Sequence, residues 1–338
     1  MFIPSSVLIE KDALEYPLGQ QLYETFKEQS KVDVVLLKSN RVTGLPKERR
    51  EKYEAGKKTI VIGVRKTMKF QSCKPSAHFQ LPLVTGCIGQ CEYCYLNTQF
   101  GDKPYTRVYV NVDDILGQAK KYIDEMKEIT IFEGAATSDP LPMEDYTHSL
   151  AKTINFFGLQ EKGRFRFVSK YNNVDSLLGL DHGNHTEIRF SINAEDIIKK
   201  FEHKTPSLSQ RLLGTQIVIE AKYPSGFIIA PVFLEEGWQK QYGNLLDDID
   251  RTFSNVMLDH PITFEIISHR FTARAKNIIN EVFENSELPM DETERKFKYG
   301  QFGYGKYVYQ KEQLEEMKMF FQQRIEKFSF PHKILYII

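Results

Sequence analysis

The sequence predicts an α/β fold in which parallel strands alternate with helices and curl into a partial barrel. Two observations support this prediction. From residue 79 onward, short apolar runs typical of buried strands alternate with amphipathic helical stretches, giving six strand–helix units. A cysteine-rich loop follows the first of these strands, at the end where parallel barrels place their ligands. The predicted fold class is therefore a partial (β/α)6 barrel, which a chain of 338 residues is long enough to form.

Three domains are predicted along the chain. A small N-terminal α/β extension covers residues 1–75, and the barrel covers residues 76–285. A C-terminal β-hairpin plus helix covers residues 286–338, where large residues alternate with glycines before an amphipathic stretch. The sequence contains neither long repeats nor low-complexity segments, so no solenoid or linker is expected.

The individual elements follow from the spacing of apolar residues. In the extension we expect a helix over 18–28 and buried strands over 32–37 and 59–64. In the barrel we expect strands over 81–85, 129–134, 164–170, 187–193, 226–233 and 261–268. The alternating helices are expected over 112–126, 144–157, 174–180, 208–222 and 238–253, and from residue 273. Asn111 is predicted to cap the helix over 112–126, and Gly158 to end the helix over 144–157. A hairpin over 297–309, a helix over 311–328 and a strand over 334–338 complete the prediction.

The composition excludes several classes of protein. The 45 basic residues equal the 45 acidic ones, so the chain is neither a polycation nor an acidic tail. Four cysteines in this length do not make a disulfide framework, and three of them are clustered, which favours a reducing compartment. No signal-peptide core follows Met1, and no run of about twenty apolar residues occurs. We therefore expect a cytoplasmic protein without a membrane segment.

The cysteine-rich loop is the strongest candidate for a site. Cys87, Cys91 and Cys94 follow the pattern Cys-x3-Cys-x2-Cys between Gly86 and Tyr95. Three thiolates in so short a loop can converge on one soft metal centre. A zinc site is the alternative, but it usually needs a fourth cysteine or histidine at recognisable spacing, and none follows. We therefore favour an iron–sulfur cluster over zinc.

This spacing, with Tyr93 just before the last cysteine, resembles the radical S-adenosylmethionine (SAM) superfamily. The resemblance implies that Cys87, Cys91 and Cys94 hold a [4Fe-4S] cluster whose open iron binds SAM. It also implies a partial (β/α)6 radical-SAM barrel and an external one-electron reductant as a partner.

A closer resemblance, to spore photoproduct lyases, covers most of the chain. It is carried by residues 85–87, 93–96, 103–105, 166–170, 189–194, 223–227, 236–238, 268–272 and 305–307. The resemblance implies a DNA-repair lyase that reverts 5-thyminyl-5,6-dihydrothymine to two thymines. In that family an adenosyl radical removes hydrogen from C6 of the dimer and a hydrogen is later returned. The implied partner is UV-damaged spore DNA, the implied location is the cytoplasm of the spore, and we expect a monomer.

The resemblance also assigns residues that bind SAM. Ser138 and Asp139 follow a predicted strand where the family contacts SAM, and Lys170 and Ser191 end the next two strands. Lys170 is a suitable partner for the SAM carboxylate, although a solvated surface lysine is an equal alternative. Ser191 and Asn193 face the same side of a strand; they either meet SAM or close the strand end by hydrogen bonding.

The return of hydrogen is where the chain departs from the family. Tyr93 and Tyr95 match the family's hydrogen-relay tyrosines, although packing against the cluster is the alternative for each. The family commonly has a hydrogen-donating cysteine where this chain has Ala136. Either that step is disabled or another thiol has replaced it, and Cys73 is the remaining thiol. We predict that Cys73 is the donor, against the alternative of an ordinary half-buried cysteine.

The hairpin is the predicted DNA-binding element. Phe302 at the glycine-flanked tip is expected to enter the gap left by a flipped dimer, unless it packs under the final helix. Gln301 stands where relatives are expected to have arginine. Phosphate contacts are predicted for a set of basic residues, although each one taken individually is better explained as a solvated charge: Arg270, Arg274, Lys276, Lys298 and Lys306.

Two alternative functions remain open from the sequence. A radical SAM enzyme acting on a peptide or small molecule would cleave SAM without binding damaged DNA. A non-catalytic iron–sulfur or zinc protein that binds nucleic acid would release no deoxyadenosine. The polar residues expected at the barrel ends disfavour this second alternative, because a binding module needs no SAM pocket.

Overall fold

The computed structural model describes residues 2–299 and 305–338. The chain divides into two compact units. Unit 1 contains Met1–Gly89, Gln99–Ser169 and Asn173–Glu187, and unit 2 contains Gln90–Thr98, Lys170–Asn172 and Ile188–Ile338. Among the described residues, none of the helices is both long and apolar enough to cross a membrane. The division into three domains stays a prediction.

The strands and helices are numbered in chain order. The strands are β1 Ser6–Ile9, β2 Asp33–Leu36, β3 Thr59–Gly63, β4 Ser72–Cys73, β5 Ala77–Gln80, β6 Val84–Thr85, β7 Gln90–Cys91, β8 Thr106–Tyr109, β9 Thr130–Glu133, β10 Gly163–Ser169, β11 Thr186–Ile192, β12 Glu202–His203, β13 Ser225–Val232, β14 Ile262–Ser268, β15 Lys296–Tyr299, β16 Gly305–Val308 and β17 His332–Ile337. The α-helices are α1 Pro17–Lys27, α2 Arg49–Gly56, α3 Leu96–Gln99, α4 Val112–Glu125, α5 Leu141–Thr147, α6 Ser149–Gly158, α7 Glu195–Phe201, α8 Leu208–Glu220, α9 Trp238–Phe253, α10 Ala273–Val282 and α11 Lys311–Ile325. Short 3₁₀ segments cover Lys11–Glu15 and Asp175–Leu177.

In unit 1, a five-stranded sheet has the order β2-β1-β3-β8-β6. Strands β2, β1, β3 and β8 run parallel, and β6 pairs antiparallel with β8. The prediction of a buried strand over 59–64 is confirmed, since all of β3 is buried. The prediction that strand 32–37 is buried is wrong, because β2 lies at the sheet edge with Val35 and Leu36 exposed.

The first barrel strand differs from the prediction. Unit 1 also contains the strand series β4-β5-β9-β10, in which β5 runs parallel to β9. The last hydrogen bond to β9 is donated by the Leu81 amide to the Glu133 carbonyl. The next residue, Pro82, has no amide hydrogen, so the pairing cannot continue. The predicted strand over 81–85 is therefore wrong, and its last two residues form β6 of the other sheet.

The single helix predicted over 144–157 is instead two helices, α5 and α6. His148 between them has a positive φ of 47°. The carboxylate of Glu144 accepts hydrogen bonds from the amides of Leu150 and Ala151, at 2.7 and 2.8 Å. The buried carboxylate therefore satisfies amides of the first turn of α6, which a continuous helix would have paired internally.

Glu144 makes stability depend on pH. Burial raises the pKa of Glu144 from 4.5 to about 7. Its contribution is therefore fully present below its ordinary pKa and is lost as pH rises through about 7. Between pH 6 and pH 8 we expect a loss of about 1 kcal/mol from this group, seen as a lower thermal unfolding midpoint at pH 8 than at pH 6. Glu144→Gln should flatten this dependence, whereas the exposed control Glu128→Gln should not. Equal pH dependence in the Glu144→Gln and unaltered chains would contradict the assignment.

Asn111 occupies the position before α4, but its side chain does not cap the helix. Its amide group instead accepts from the Arg65 backbone amide at 2.8 Å and donates to the Arg65 carbonyl at 3.0 Å. The predicted capping role is therefore wrong. Asn111 bonds to Arg65 instead of capping α4, because its side-chain amide satisfies both the N–H and the C=O of that backbone residue.

In unit 2, four parallel strands form the series β11-β13-β14-β17. Phe190, Phe227 and Phe264 lie in register on three adjacent strands and are fully buried, forming a row at the centre of the core. Arg189 and Glu265 form a buried ion pair at 3.1 Å beside this row. The predicted helix over 238–253 is confirmed at both ends by α9.

Candidate active site

The first half of the cysteine loop is held by unit 1. Gly86 has a φ of +80°, and a Cβ there would lie 2.4 Å from the Tyr105 carbonyl oxygen, so the position requires glycine. The buried ammonium of Lys57 donates hydrogen bonds to the carbonyls of Cys87 and Gly89, at 2.8 and 2.7 Å. These contacts fix the backbone from which the Cys87 thiol projects.

The second half of the loop is held by unit 2. Strand β7 pairs antiparallel with β12, which places Cys91 opposite Glu202. The Asn97 side chain donates to the carbonyls of Cys91 and Glu92 at 3.0 and 3.2 Å. The Glu92 carboxylate lies 2.7 Å from His203 Nε2 and accepts from Ser286 Oγ at 2.5 Å. The backbone around Cys91 and Cys94 is therefore tied to three separate segments.

The donor set fits an iron–sulfur cluster. Cys87, Cys91 and Cys94 form no disulfide with any described residue; Cys91 is buried and the other two are partly buried. Within residues 2–299 and 305–338, no three His, Cys, Asp or Glu side chains are grouped closely enough to hold a single metal ion. A cubane cluster makes a different demand, because each thiolate binds its own iron.

Lys170 lies at the centre of a buried polar network in unit 2. Its ammonium is 3.0 Å from Ser191 Oγ, 3.2 Å from the Tyr93 hydroxyl and 3.0 Å from the Glu202 carboxylate. The Tyr93 hydroxyl donates to the other oxygen of Glu202. Arg211, fully buried, pairs with Glu202 at 2.7 Å. The predicted residues Tyr93, Lys170 and Ser191 are thus brought together by a carboxylate and a guanidinium that the sequence analysis missed.

The charges of this network fix its protonation. Burial raises the pKa of Tyr93 well above its ordinary value, and the adjacent Glu202 raises it further. Burial alone would also raise the pKa of Glu202, but the charges of Lys170 and Arg211 outweigh it and hold that pKa below its ordinary value. The phenol therefore stays protonated and the carboxylate stays charged, so the Tyr93 O–H bond points toward Glu202.

Ser138 and Asp139 lie beside the start of the cysteine loop in unit 1. Both are buried, directly after the turn that ends β9. Gly86 forms an isolated parallel bridge with Ser138, and its amide donates to the Thr137 carbonyl at 2.9 Å. Backbone pairing therefore brings the predicted SAM-binding turn next to the cysteine loop.

Asn193 has a different environment from Ser191. Its side chain is fully buried, donates to the Pro231 carbonyl at 2.8 Å and accepts from the Ala194 amide at 2.9 Å. The amide nitrogen and the amide oxygen of Asn193 therefore both bond to the backbone at the end of the strand. This is the alternative to SAM binding that the sequence left open for Asn193. The network around Lys170 does not include it among the contacts that the described residues make.

Cys73 ends β4 opposite Ala77 and is half-buried. In the turn that follows, the Ser76 hydroxyl donates to Glu133 at 3.1 Å, and the Ser76 carbonyl accepts from Arg166 at 3.0 Å. Glu133 ends β9, three residues before Ala136. The turn after Cys73 is therefore anchored to the end of the strand that leads to Ala136. Glu133 and Arg166 are buried charged residues that the sequence analysis did not select.

The two tyrosines on either side of Cys94 have different surroundings. Tyr93 is held inside the Lys170 network, and its ring lies 6.1 Å from that of Phe233. Tyr95, at the start of the segment leading into α3, is 56% exposed. The Tyr95 phenol is accessible to another molecule, whereas Tyr93 is only partly exposed and its hydroxyl is bonded within the network.

The hairpin carries a cluster of cations. Lys298 of β15 lies directly opposite Lys306 of β16. Burial lowers the pKa of Lys306, and the charges of Arg270 and Lys298 lower it further, so the three cations lie close together. Lys276, by contrast, is paired with Glu292 at 3.5 Å.

Aromatic residues flank these cations along the chain. The backbones of Phe271 and Tyr307 exchange two hydrogen bonds, at 3.2 and 2.7 Å, and their rings stack at 5.2 Å. Phe297 and Tyr299 are 49% and 73% exposed, and the sequence analysis did not select them. Gln301 and Phe302 lie outside the described residues, so the predicted wedge stays a prediction.

Alternating strands and helices, with a three-cysteine loop held at the end of a strand series, define the class: an α/β protein built like a radical SAM enzyme. The chain matches the family model described as spore photoproduct lyase over residues 2–338. The chain belongs to the spore photoproduct lyase family and is an enzyme of that family.

Curated relatives and solved structures agree with this assignment. The spore photoproduct lyase of Clostridium acetobutylicum is 49% identical over 334 residues, covering 98% of each chain. That of Bacillus subtilis is 44% identical over 337 residues, covering 99% of this chain and 98% of the relative. A spore photoproduct lyase solved with dinucleoside spore photoproduct is 45% identical, with a TM-score of 0.96 over 100% of this chain and 99% of that one. The predicted family and fold class are therefore confirmed.

Proposed function

We propose that this chain reverts the spore photoproduct, 5-thyminyl-5,6-dihydrothymine, to two thymines in DNA. The observation that carries the proposal is the cysteine loop, in which Lys57 holds the Cys87 backbone and Tyr93 belongs to the Lys170 network. A related lyase solved with bound AdoMet and dinucleoside spore photoproduct, 45% identical to this chain, supports this substrate and this cosubstrate. We place the activity in the cytoplasm of the spore, with the protein acting as a monomer.

Cys87, Cys91 and Cys94 would hold a [4Fe-4S] cluster, with SAM on its open iron. When bound, these groups would supply a 5′-deoxyadenosyl radical that removes hydrogen from C6 of the photoproduct. Lys170 would bind the SAM carboxylate, since Glu202 and Ser191 hold its ammonium in place before SAM arrives. Ser138 and Asp139 would contact SAM from the turn beside Gly86.

Hydrogen return would depend on Cys73. Ala136 has no thiol, and Cys73 is the one cysteine of the four outside the cluster loop. A related lyase carrying a cysteine-to-alanine and a serine-to-cysteine substitution combines the same two features, a lost thiol and a gained one. Tyr93 and Tyr95 would then relay a hydrogen atom back to the Cys73 sulfur, from the 5′-deoxyadenosine formed when hydrogen was taken from the photoproduct.

The activity is tested with the reconstituted enzyme. Under anaerobic conditions the protein is loaded with iron and sulfide and given SAM, dithionite and dinucleoside spore photoproduct. Thymine dinucleotide and 5′-deoxyadenosine should both form. Deoxyadenosine without repaired dinucleotide would favour a radical SAM enzyme with another substrate, and the absence of both products would contradict the proposal.

The cation cluster of the hairpin should bind DNA phosphates. We expect Lys298→Ala/Lys306→Ala to weaken binding to a duplex containing the photoproduct, because two phosphate contacts are lost. The slope of log K against log salt concentration should fall by about 0.9 for each contact. Fluorescence anisotropy at several salt concentrations measures both quantities. Lys276→Ala is the matched control, since Glu292 already neutralises that charge; equal losses in both variants would contradict the assignment.

A further inference from the structure

Unit 1 contains a recess with a basic rim, and none of the residues that line it was discussed above as binding substrate. Its volume is about 530 Å³. The floor is apolar, since Tyr105 is buried and Val42 and Leu45 pack against the same hydrophobic cluster. The residues on the rim are mostly basic: Arg41, Lys47, Lys52, Lys103 and Arg107. We call this feature the basic recess.

Most of the rim cations are uncompensated. Arg107 is paired with the buried Glu10. The other four, from Arg41 to Lys103, form neither a side-chain hydrogen bond nor an ion pair with any part of the chain that the structure describes. Asp102 is the one carboxylate on the described rim. In a protein with no net charge, this is a local concentration of positive charge that attracts an acidic partner.

The basic recess adjoins the segment that grips the cysteine loop. Lys52 lies on α2, and Lys57 directly follows that helix and donates to the carbonyls of Cys87 and Gly89. Five helical residues span about 7.5 Å along the axis. On the other side of the recess, Lys103 precedes Pro104, whose ring packs so closely on Gly56 that a Cβ there would lie 2.6 Å from it. Lys52 and Lys103 are thus each close in the chain to residues that contact α2 or continue from it, and Lys57 at the end of α2 holds the Cys87 backbone.

We propose that the basic recess docks an acidic protein that carries single electrons, such as a flavodoxin. The inference rests on the proposed function, which consumes an electron that the chain's own side chains do not supply. At each productive encounter the reduced carrier would lose one electron, and the cluster that Cys87 would help to hold would gain it. A recess with an apolar floor and cationic rim accepts a protruding acidic loop, and its link to the cysteine loop keeps the transfer distance short.

The apolar floor favours an electron carrier over DNA as the occupant. A duplex presents phosphates and sugars to a basic surface, whereas an acidic protein also presents apolar side chains that can cover Val42 and Leu45. The cation cluster on the hairpin, in unit 2, already provides a phosphate-binding surface for DNA.

The test compares Lys47→Glu/Lys52→Glu with a matched control, Lys121→Glu/Lys127→Glu, which reverses two exposed charges elsewhere in unit 1. Calorimetric titration with an acidic flavodoxin measures its Kd for each chain, at low and at physiological salt. We expect the recess variant to weaken this Kd by about tenfold or more at low salt, with the control unchanged. Repair driven by reduced flavodoxin should fall in parallel, and repair driven by dithionite should be retained.

Three results are decisive. An unchanged flavodoxin Kd in the recess variant would overturn the proposal. Weaker binding of photoproduct-containing duplex DNA, with flavodoxin binding unchanged, would identify the recess as a DNA surface instead. A lack of dithionite-driven repair in the unaltered chain would count against the proposed function alone, because the flavodoxin Kd is measured without turnover.

Discussion

Cys73→Ala should abolish clean repair of dinucleoside spore photoproduct while 5′-deoxyadenosine still forms. The variant keeps the cysteine loop and the Lys170 network but removes the last thiol able to return hydrogen, because Ala136 has none. We expect the yield of thymine dinucleotide to fall by about tenfold or more, as when a group that acts only at the chemical step is removed. Chromatography of the reaction products, including dithionite-derived adducts, measures the change.

A second variant makes the Cys73 test specific. In Cys73→Ala/Ala136→Cys, a thiol returns at the position where the family commonly has one. We expect this variant to regain repair, which a merely misfolded chain would not do. Clean repair by Cys73→Ala alone would show that the residue is an ordinary half-buried cysteine, as the structural alternative holds.

Glu202→Gln should destabilise the protein and weaken SAM binding together. The substitution keeps the size of the side chain but leaves Lys170 and the fully buried Arg211 without their shared countercharge. Breaking a buried ion pair in this way costs about 3–5 kcal/mol, which we expect to see as a lower unfolding midpoint. SAM titration of the folded variant should show weaker binding, because the ammonium of Lys170 is no longer held in place.

Two comparisons separate this effect from general damage. Asp124→Asn removes a charge from the exposed pair with Lys120 and should change stability by at most about 1 kcal/mol. The second comparison is of stability at different pH values. Because the pKa of Glu202 is held below its ordinary value, the contribution of Glu202 to stability is fully present above that ordinary pKa and is lost as pH falls through the lowered one. Unaltered SAM affinity in Glu202→Gln would show that the network supports the fold and does not position Lys170.

Elements with strong periodicity could be predicted from the sequence alone. The helix over 238–253 has a complete apolar face and a glycine before it, and both of its ends were predicted correctly. The first barrel strand was misplaced because the apolar run after Leu81 looks like a strand, yet Pro82 stops the pairing and β5 is amphipathic. Local apolarity identifies buried segments, but hydrogen-bonding capacity decides which sheet they join.

The candidate site was predictable only where it is local in sequence. Cys87, Cys91 and Cys94 lie within one short loop, so their spacing alone indicates a metal centre. Glu202 meets Tyr93 and Lys170 across long stretches of chain, with 109 residues separating it from the tyrosine. It follows α7, a helix that the sequence analysis did not predict, and no motif marks it. Contacts of this kind depend on tertiary packing that sequence spacing does not encode.

The hydrogen bonds from Lys57 have a consequence for the reduction potential of the site. A fixed positive charge lies next to the backbone of Cys87, with both of its known acceptors being carbonyls and not carboxylates. Reduction adds negative charge to an iron–sulfur cluster, so a neighbouring cation stabilises the reduced form. Lys57 therefore makes any cluster bound here easier to reduce, and exchanging it for methionine would shift the midpoint potential to a more negative value.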